Sequence, residues 1–184
     1  AHYNLGYIAF HQKDYTQAQN WFRKYISLEK GENKTALADA YNRIGDCYLD
    51  VRNFDEAKHY YSQAEAMNTP SGDYSFYHLA LVSGLQKDYS GKITLLNRLA
   101  GKYPASPYAI SALYEKGRSY VLMDNNQQAI ASFKELLAKY PESPVSRKAA
   151  AEIGLLYYQN EDYDQAINAY KQVVQKYPGS DEAR

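Results

Sequence analysis

Apolar and small residues recur along this 184-residue chain with helical period, and the predicted helices come in pairs. In the last pair Ile153, Gly154, Tyr157 and Tyr158 share one face of a first helix. Ala166, Ile167, Tyr170, Val173 and Val174 share one face of a second. A short polar turn, Glu161-Asp162-Tyr163, separates them. Similar turns stand at Lys13-Asp14-Tyr15, Asn53-Phe54, Lys87-Asp88-Tyr89 and Asn125-Asn126. Each pair also carries a small residue, then a site twelve positions on that is usually alanine, then a large apolar residue four further. The sets are Gly6/Ala18/Phe22, Gly45/Ala57/Tyr61, Ala80/Lys92/Leu96, Gly117/Ala129/Phe133 and Gly154/Ala166/Tyr170. Successive sets lie 39, 35, 37 and 37 residues apart. Self-similarity at this period predicts a stacked array of helical hairpins. The repeats fall at about 1–30, 36–70, 73–104, 107–141 and 144–178, within a single array over 1–184. Residues 179–184 read as the start of a further, truncated repeat, so the chain reads as a piece of a longer one.

The turns carry helix-start chemistry. Asp14, Asn53, Asn125 and Asp162 each precede a Glu or Gln by three residues, the spacing of a capping box. Ser106-Pro107 and Ser143-Pro144 place a cap before a proline at a first helical position, where its missing N–H costs nothing. Lys102, Lys139 and Lys176 fall in last turns, where a cation complements the helix dipole. The glycines answer a steric need, because helices about 8–10 Å apart leave little room for side chains at their crossing. We expect Gly154 to meet Ala166 there, with the aromatic residue one turn later wedging between hairpins.

On these residues the chain resembles the tetratricopeptide repeat family. Leu5-Gly6, Ile44-Gly45-Asp46-Cys47-Tyr48 and Ile153-Gly154-Leu155-Leu156-Tyr157 match its first-helix pattern, and Pro104, Pro141 and Pro178 its closing proline. The resemblance implies an all-α fold, a right-handed α-α superhelix (solenoid) of about five hairpins. It also implies a non-catalytic scaffold that binds peptide segments or partner proteins on its concave face. Three closing segments, Lys102-Tyr103-Pro104-Ala105-Ser106, Lys139-Tyr140-Pro141-Glu142-Ser143 and Lys176-Tyr177-Pro178-Gly179-Ser180, resemble the bacterial envelope branch of that family. The Tol-Pal-associated periplasmic repeat protein and the outer-membrane lipoprotein of the β-barrel assembly machinery belong to that branch. The link implies a periplasmic or outer-membrane-associated location, with the cytoplasm as the alternative.

Helical spacing places Tyr3, Tyr7 and Phe10, then Asn42, Asp46 and Leu49, then Tyr77 and Leu81, then Tyr114 and Arg118, and finally Tyr158 on the face that the resemblance assigns to partners. Ala151, Leu155 and Val121 extend it. The stripe is aromatic and apolar, with Asn42, Asp46 and Arg118 as polar fixtures. Asp46 would repel the C-terminal carboxylate that co-chaperone members of the family clamp. Tyrosines at this spacing also suit packing between repeats.

Charge and composition narrow the partners. Lys and Arg total 21, and so do Asp and Glu, which removes the basic face that nucleic acid needs. No apolar run has the length of a membrane span. Tyr occurs 21 times, supplying rigid contact area. Cys47, the single cysteine, reads as a small buried hydrophobe, so no intrachain disulfide is available. His2, His11, His59 and His78 have no metal-ligand spacing and no phosphate loop is present, so we expect neither cofactor nor metal nor catalysis. Two departures stand out. Lys92 occupies an alanine position, where we expect its head to snorkel to water or the hairpin to open. Gly31–Thr35 reads as a surface loop in a lengthened connection. The alternatives to a peptide scaffold are a structural spacer or self-association segment of a longer array, or a targeting domain of a larger protein.

Overall fold

A computed structural model describes all residues from Ala1 to Arg184. The structure is all helical: α1 (His2–His11), α2 (Tyr15–Leu28), α3 (Lys34–Asp50), α4 (Phe54–Ala66), α5 (Gly72–Leu85), α6 (Tyr89–Lys102), α7 (Ala109–Leu122), α8 (Asn126–Lys139), α9 (Pro144–Gln159), α10 (Tyr163–Lys176) and a 3-10 turn at Asp181–Ala183. The residues form two compact units, Ala1–Tyr103 and Pro104–Arg184. The first unit holds the hairpins α1–α2, α3–α4 and α5–α6, and the second holds α7–α8 and α9–α10. Within each unit the second helix of one hairpin packs on the first helix of the next.

Every second helix starts the same way. Asp14, Asn53, Asp88, Asn125 and Asp162 each accept from the backbone N–H three residues on, at 2.9–3.4 Å. The residue before each cap, Lys13, Arg52, Lys87, Asp124 and Glu161, is left-handed, with φ between 55° and 63°. That single residue reverses the chain, and the Asp or Asn then satisfies an N–H that the new helix leaves open. Ser143 caps α9 through the N–H of Val145, with Pro144 at the first position. The matching Ser106 does not start α7. Its Oγ takes the N–H of Tyr108 inside a turn, and the helix begins at Ala109. The Gly31–Thr35 link is held by the Glu29 carboxylate, which accepts from Glu32 and Asn33 N–H, while Asn33 caps α3.

The glycines meet aromatic rings rather than the alanines expected from the sequence. A β-carbon on Gly6 would lie 2.7 Å from the Phe22 ring of the partner helix, and Gly45, Gly117 and Gly154 face Tyr61, Phe133 and Tyr170 in the same way. Each ring therefore lies flat across its own hairpin, on bare backbone. The third hairpin follows the same size rule: Ala80 stands where glycine stands elsewhere, and its partner is the narrower Leu96. A second exchange explains Lys92. It is only 7 % exposed, so its head does not reach out as expected. Its stem and ammonium run beside Gly84, whose absent side chain makes the room. In the other hairpins these two positions hold a large residue and an alanine: Phe10 with Ala18, Leu49 with Ala57, Val121 with Ala129, Tyr158 with Ala166.

The core of the first unit gathers Phe22, Ile44, Cys47, Tyr61, Leu79 and Val82, and that of the second Phe133, Leu136, Ile153 and Leu156. The Tyr-Pro links act as clasps between hairpins. Tyr103 donates to the carbonyl of Thr69 at 3.3 Å, and Tyr177 to that of Pro141 at 2.9 Å.

Candidate functional site

In the first unit α1, α3 and α5 lie side by side, which brings the stripe residues of three helices together. They do not form an open binding face. Tyr3 and Tyr7, one turn apart on α1, both donate to the same oxygen of Asp39 on α3, Tyr3 at 2.6 Å. Asp46, two turns along α3, accepts from Tyr61 of α4 at 2.7 Å and from Tyr74 of α5 at 2.8 Å. Arg43 stands between the two carboxylates, 3.5 Å from Asp39 and 2.5 Å from Asp46. Its guanidinium is flanked by the rings of Phe10 and Tyr74, whose centroids are 5.8 and 4.6 Å away. His78 stacks on Tyr74 at 3.9 Å.

Electrostatics follow from this arrangement. Burial, then the hydrogen bond to Asp39, pushes the Tyr7 phenol up to about 12, and Tyr3 rises further for the same two reasons. Burial and the Asp46 charge raise Tyr61 and Tyr74. Burial alone would lower Arg43, but Asp46, Tyr74 and Asp39 overcome it and hold the guanidinium firmly charged. Burial lowers His78, partly offset by its bond to the Tyr74 carbonyl. Every group is held by another of the cluster, so the network is a brace across three hairpins.

This corrects two expected polar fixtures. Asn42 is 2 % exposed and its carboxamide oxygen accepts from Ser75 of α5, so it is a buried link between hairpins. Asp46 is neutralised by Arg43 and occupied by two phenols, so it neither greets nor repels a ligand. Leu49 packs beside Ala57 and Tyr61, and Tyr77 and Leu81 are half-buried on α5. Asp39 and Arg43 were not singled out from the sequence, although Asp39, Arg43 and Asp46 share one helix face at spacings of four and three.

In the second unit Arg118, Leu155 and Tyr158 stay exposed, while Tyr114 and Ala151 are half-buried. Arg118 on α7 is exposed; a hydrogen bond to the Tyr114 phenol, only partly countered by burial, keeps its guanidinium charged. Leu155 and Tyr158 on α9 are 42 % and 59 % exposed. Tyr114, Lys148, Ala151, Glu152, Leu155 and Tyr170 border a hollow of about 320 Å³. Tyr114 leans on Phe133, which fixes its ring, and Tyr158 sits edge-on to Tyr163. Cys47 is fully buried, and burial first, then Asp46, pushes its thiol up to about 12. It is an inert core residue.

Comparison with known proteins agrees with the hairpin geometry. The tetratricopeptide repeat family matches residues 42–107 and 114–181, and a second tetratricopeptide pattern matches residues 1–69. The chain belongs to the tetratricopeptide repeat family, whose repeats generally serve as non-catalytic interaction scaffolds. Protein ycf37 of Guillardia theta is 40 % identical over 62 residues, which span 34 % of this chain and 35 % of that protein. Among solved structures, MamA superposes with a TM-score of 0.76 at 19 % identity, covering 94 % of each chain. YrrB, a TPR protein with an unusual peptide-binding site, superposes with a TM-score of 0.71 at 18 % identity, over 99 % of this chain and 88 % of that one. At such identities these likenesses show the fold, an all-α hairpin solenoid. No helix is long and apolar enough to cross a membrane.

Proposed function

We propose that the chain is a protein-interaction scaffold whose binding face is the α7–α9 surface of the second unit. One observation carries this reading. Arg118, Leu155 and Tyr158 keep exposed charge, apolar surface and ring, and Leu155 borders a hollow with half-buried Tyr114, whereas Tyr3, Tyr7 and Asp46 of the first unit are bonded across hairpins. Aromatic anchors beside two cations, Arg118 and Lys148, with Glu152 and Glu182 at the hollow, suit an extended or helical segment that offers an apolar side chain and mixed charge. Panning a random-peptide library on the chain tests this. Peptides selected on the wild type should fail on a Leu155→Ser/Arg118→Ala variant. Undiminished capture by a folded variant would sink the reading. A role in assembly at the bacterial envelope is supported by the resemblance of the three Tyr-Pro-x-Ser links. Recovery of the protein from the soluble cytoplasmic fraction of its source cells would remove that part.

A second reading, end-to-end association of copies, is favoured by two exposed apolar strips. Leu5 and Ile8 of α1 are 39 % and 54 % exposed, whereas Ile44 and Cys47, at the same repeat positions, are fully buried by the preceding hairpin. Ile167 and Val174 of α10 are similarly bare, whereas the matching Ile130 is buried under α9. Sedimentation velocity over a concentration series tests it. Association that disappears in an Ile8→Ser/Ile167→Ser variant supports it, and a concentration-independent monomer contradicts it.

A further inference from the structure

Where the second helix of one hairpin meets both helices of the next, the repeat leaves a cleft on a face of the first helix other than the stripe. Three such clefts lie within the units, and they differ in what fills them. Between α2 and the α3–α4 hairpin the filling is aromatic. Tyr60 stacks on Tyr48, with ring centroids 5.5 Å apart, and Tyr41 lies 6.3 Å from Tyr60. Arg23 seals the mouth, donating from Nε to the Tyr60 hydroxyl at 3.2 Å and from Nη2 to that of Tyr48. Outside the rings lies a more open surface dish of about 310 Å³, bordered by Arg23, Tyr41 and Tyr60. Between α4 and the α5–α6 hairpin the same two positions hold Phe76, 1 % exposed under Arg98, and Leu95, half-buried against the core cluster.

Between α8 and the α9–α10 hairpin the platform and the cation persist, but the filling is gone. Tyr157 stands where Tyr48 stood, and Lys134, at the position of Arg23, donates to its hydroxyl at 2.9 Å and lies 5.5 Å from its centroid. The positions of Tyr41 and Tyr60 are taken by Ala150 and Ala169. The result is a pocket of about 230 Å³ floored by Leu137 and Ile153. For scale, an engineered apolar cavity of about 150 Å³ holds benzene.

We propose that this pocket takes a tyrosine side chain presented by a partner polypeptide, seated as Tyr60 is seated in the first unit. The ring stacks on Tyr157 over Ala169, and its hydroxyl accepts from the Lys134 ammonium, which has donors to spare. Asn168 and Gln172, at the rim on α10, offer carboxamides to the backbone that carries the ring. The chain supplies its own template for the ligand: the cleft that is filled shows what the hollow one is shaped to receive. This site goes beyond the first-helix face proposed above and does not depend on it.

Titration of the isotopically labelled chain with N-acetyl-tyrosinamide, followed by NMR, tests the proposal. Saturable shifts are expected at Lys134, Tyr157, Asn168 and Ala169. Ala169→Tyr, which rebuilds the filled cleft, is expected to abolish them and to raise the unfolding midpoint, while Tyr157→Ala weakens binding about fivefold. Absence of saturable shifts overturns the proposal, as do shifts that persist in Ala169→Tyr or a lowered midpoint for that variant. Shifts confined to Tyr114 and Leu155 would overturn it too, by placing the ring on the first-helix face instead.

Discussion

Single side chains decide which part of the stripe is open. Asp46 and Arg43 are each mostly buried, so removing Asp46 leaves Arg43 with only the more distant Asp39 and strips Tyr61 and Tyr74 of their acceptor. Asp46→Ala should lower unfolding free energy by about 2–4 kcal/mol, as for other broken buried pairs, in urea titrations followed by circular dichroism. The phenols set the alkaline behaviour. Tyr3, Tyr7, Tyr61 and Tyr74 hold their protons more tightly folded than unfolded, and Tyr7 loses its proton only near 12. The folded state thus binds more protons above about pH 10, the unfolded tyrosine value, and stability is lost as pH rises from there. The urea midpoint should fall between about pH 10 and pH 12, less steeply in Tyr7→Phe. Sequence alone placed Tyr3 and Tyr7 on one face; it read Tyr61 only as a packing residue and did not single out Tyr74. It did not reveal that Asp39, Arg43 and Asp46 saturate them, because hydrogen-bond partners on α1, α4 and α5 are fixed only by stacking. For the same reason Asn42, polar and well spaced, reads as a contact residue until Ser75 is seen against it.

Helices and turns were far more legible, because their signals are local. The side chains of Asp14, Asn53, Asn125 and Asp162 accept as their spacing foretells, but the return half of a capping box is replaced: each cap's own N–H donates to a carbonyl of the preceding helix. The exception, Ser106-Pro107, fails because the same serine oxygen suits a turn as well as a helix start. The pairing of glycine with a ring was half visible: the small residue was plain, its neighbour was not. Gly117→Ala should cost about 1–3 kcal/mol by overpacking against Phe133, and Phe133→Leu should restore much of it, copying Ala80 with Leu96. Calorimetry of the single and double variants distinguishes this from a general helix effect, in which alanine would stabilise. The left-handed turn residues were not legible, since nothing in lysine, arginine or glutamate announces a positive φ. Asp124→Gly should raise stability by about 0.5–1 kcal/mol, the left-handed strain relieved less the added chain entropy.

Across the whole molecule, stability in each unit is a sum of hairpins and the joints between them. The α3–α4 hairpin has neighbours on both sides, α2 and α5, whereas α1 and α10 each leave an apolar strip bare. Hydrogen exchange should be slowest in α3 and α4 of the first unit and in α8 and α9 of the second, and faster in α1 and α10. Uniform protection along α1 to α4 would contradict a joint-by-joint account. One atom makes this measurable without isotopes. The sulfur of Cys47 is sealed between the first two hairpins, and no other thiol exists in the chain. A chromogenic thiol reagent must wait for that seam to part. The colour it develops is therefore a stopwatch for one joint, and any agent that tightens the seam slows the clock.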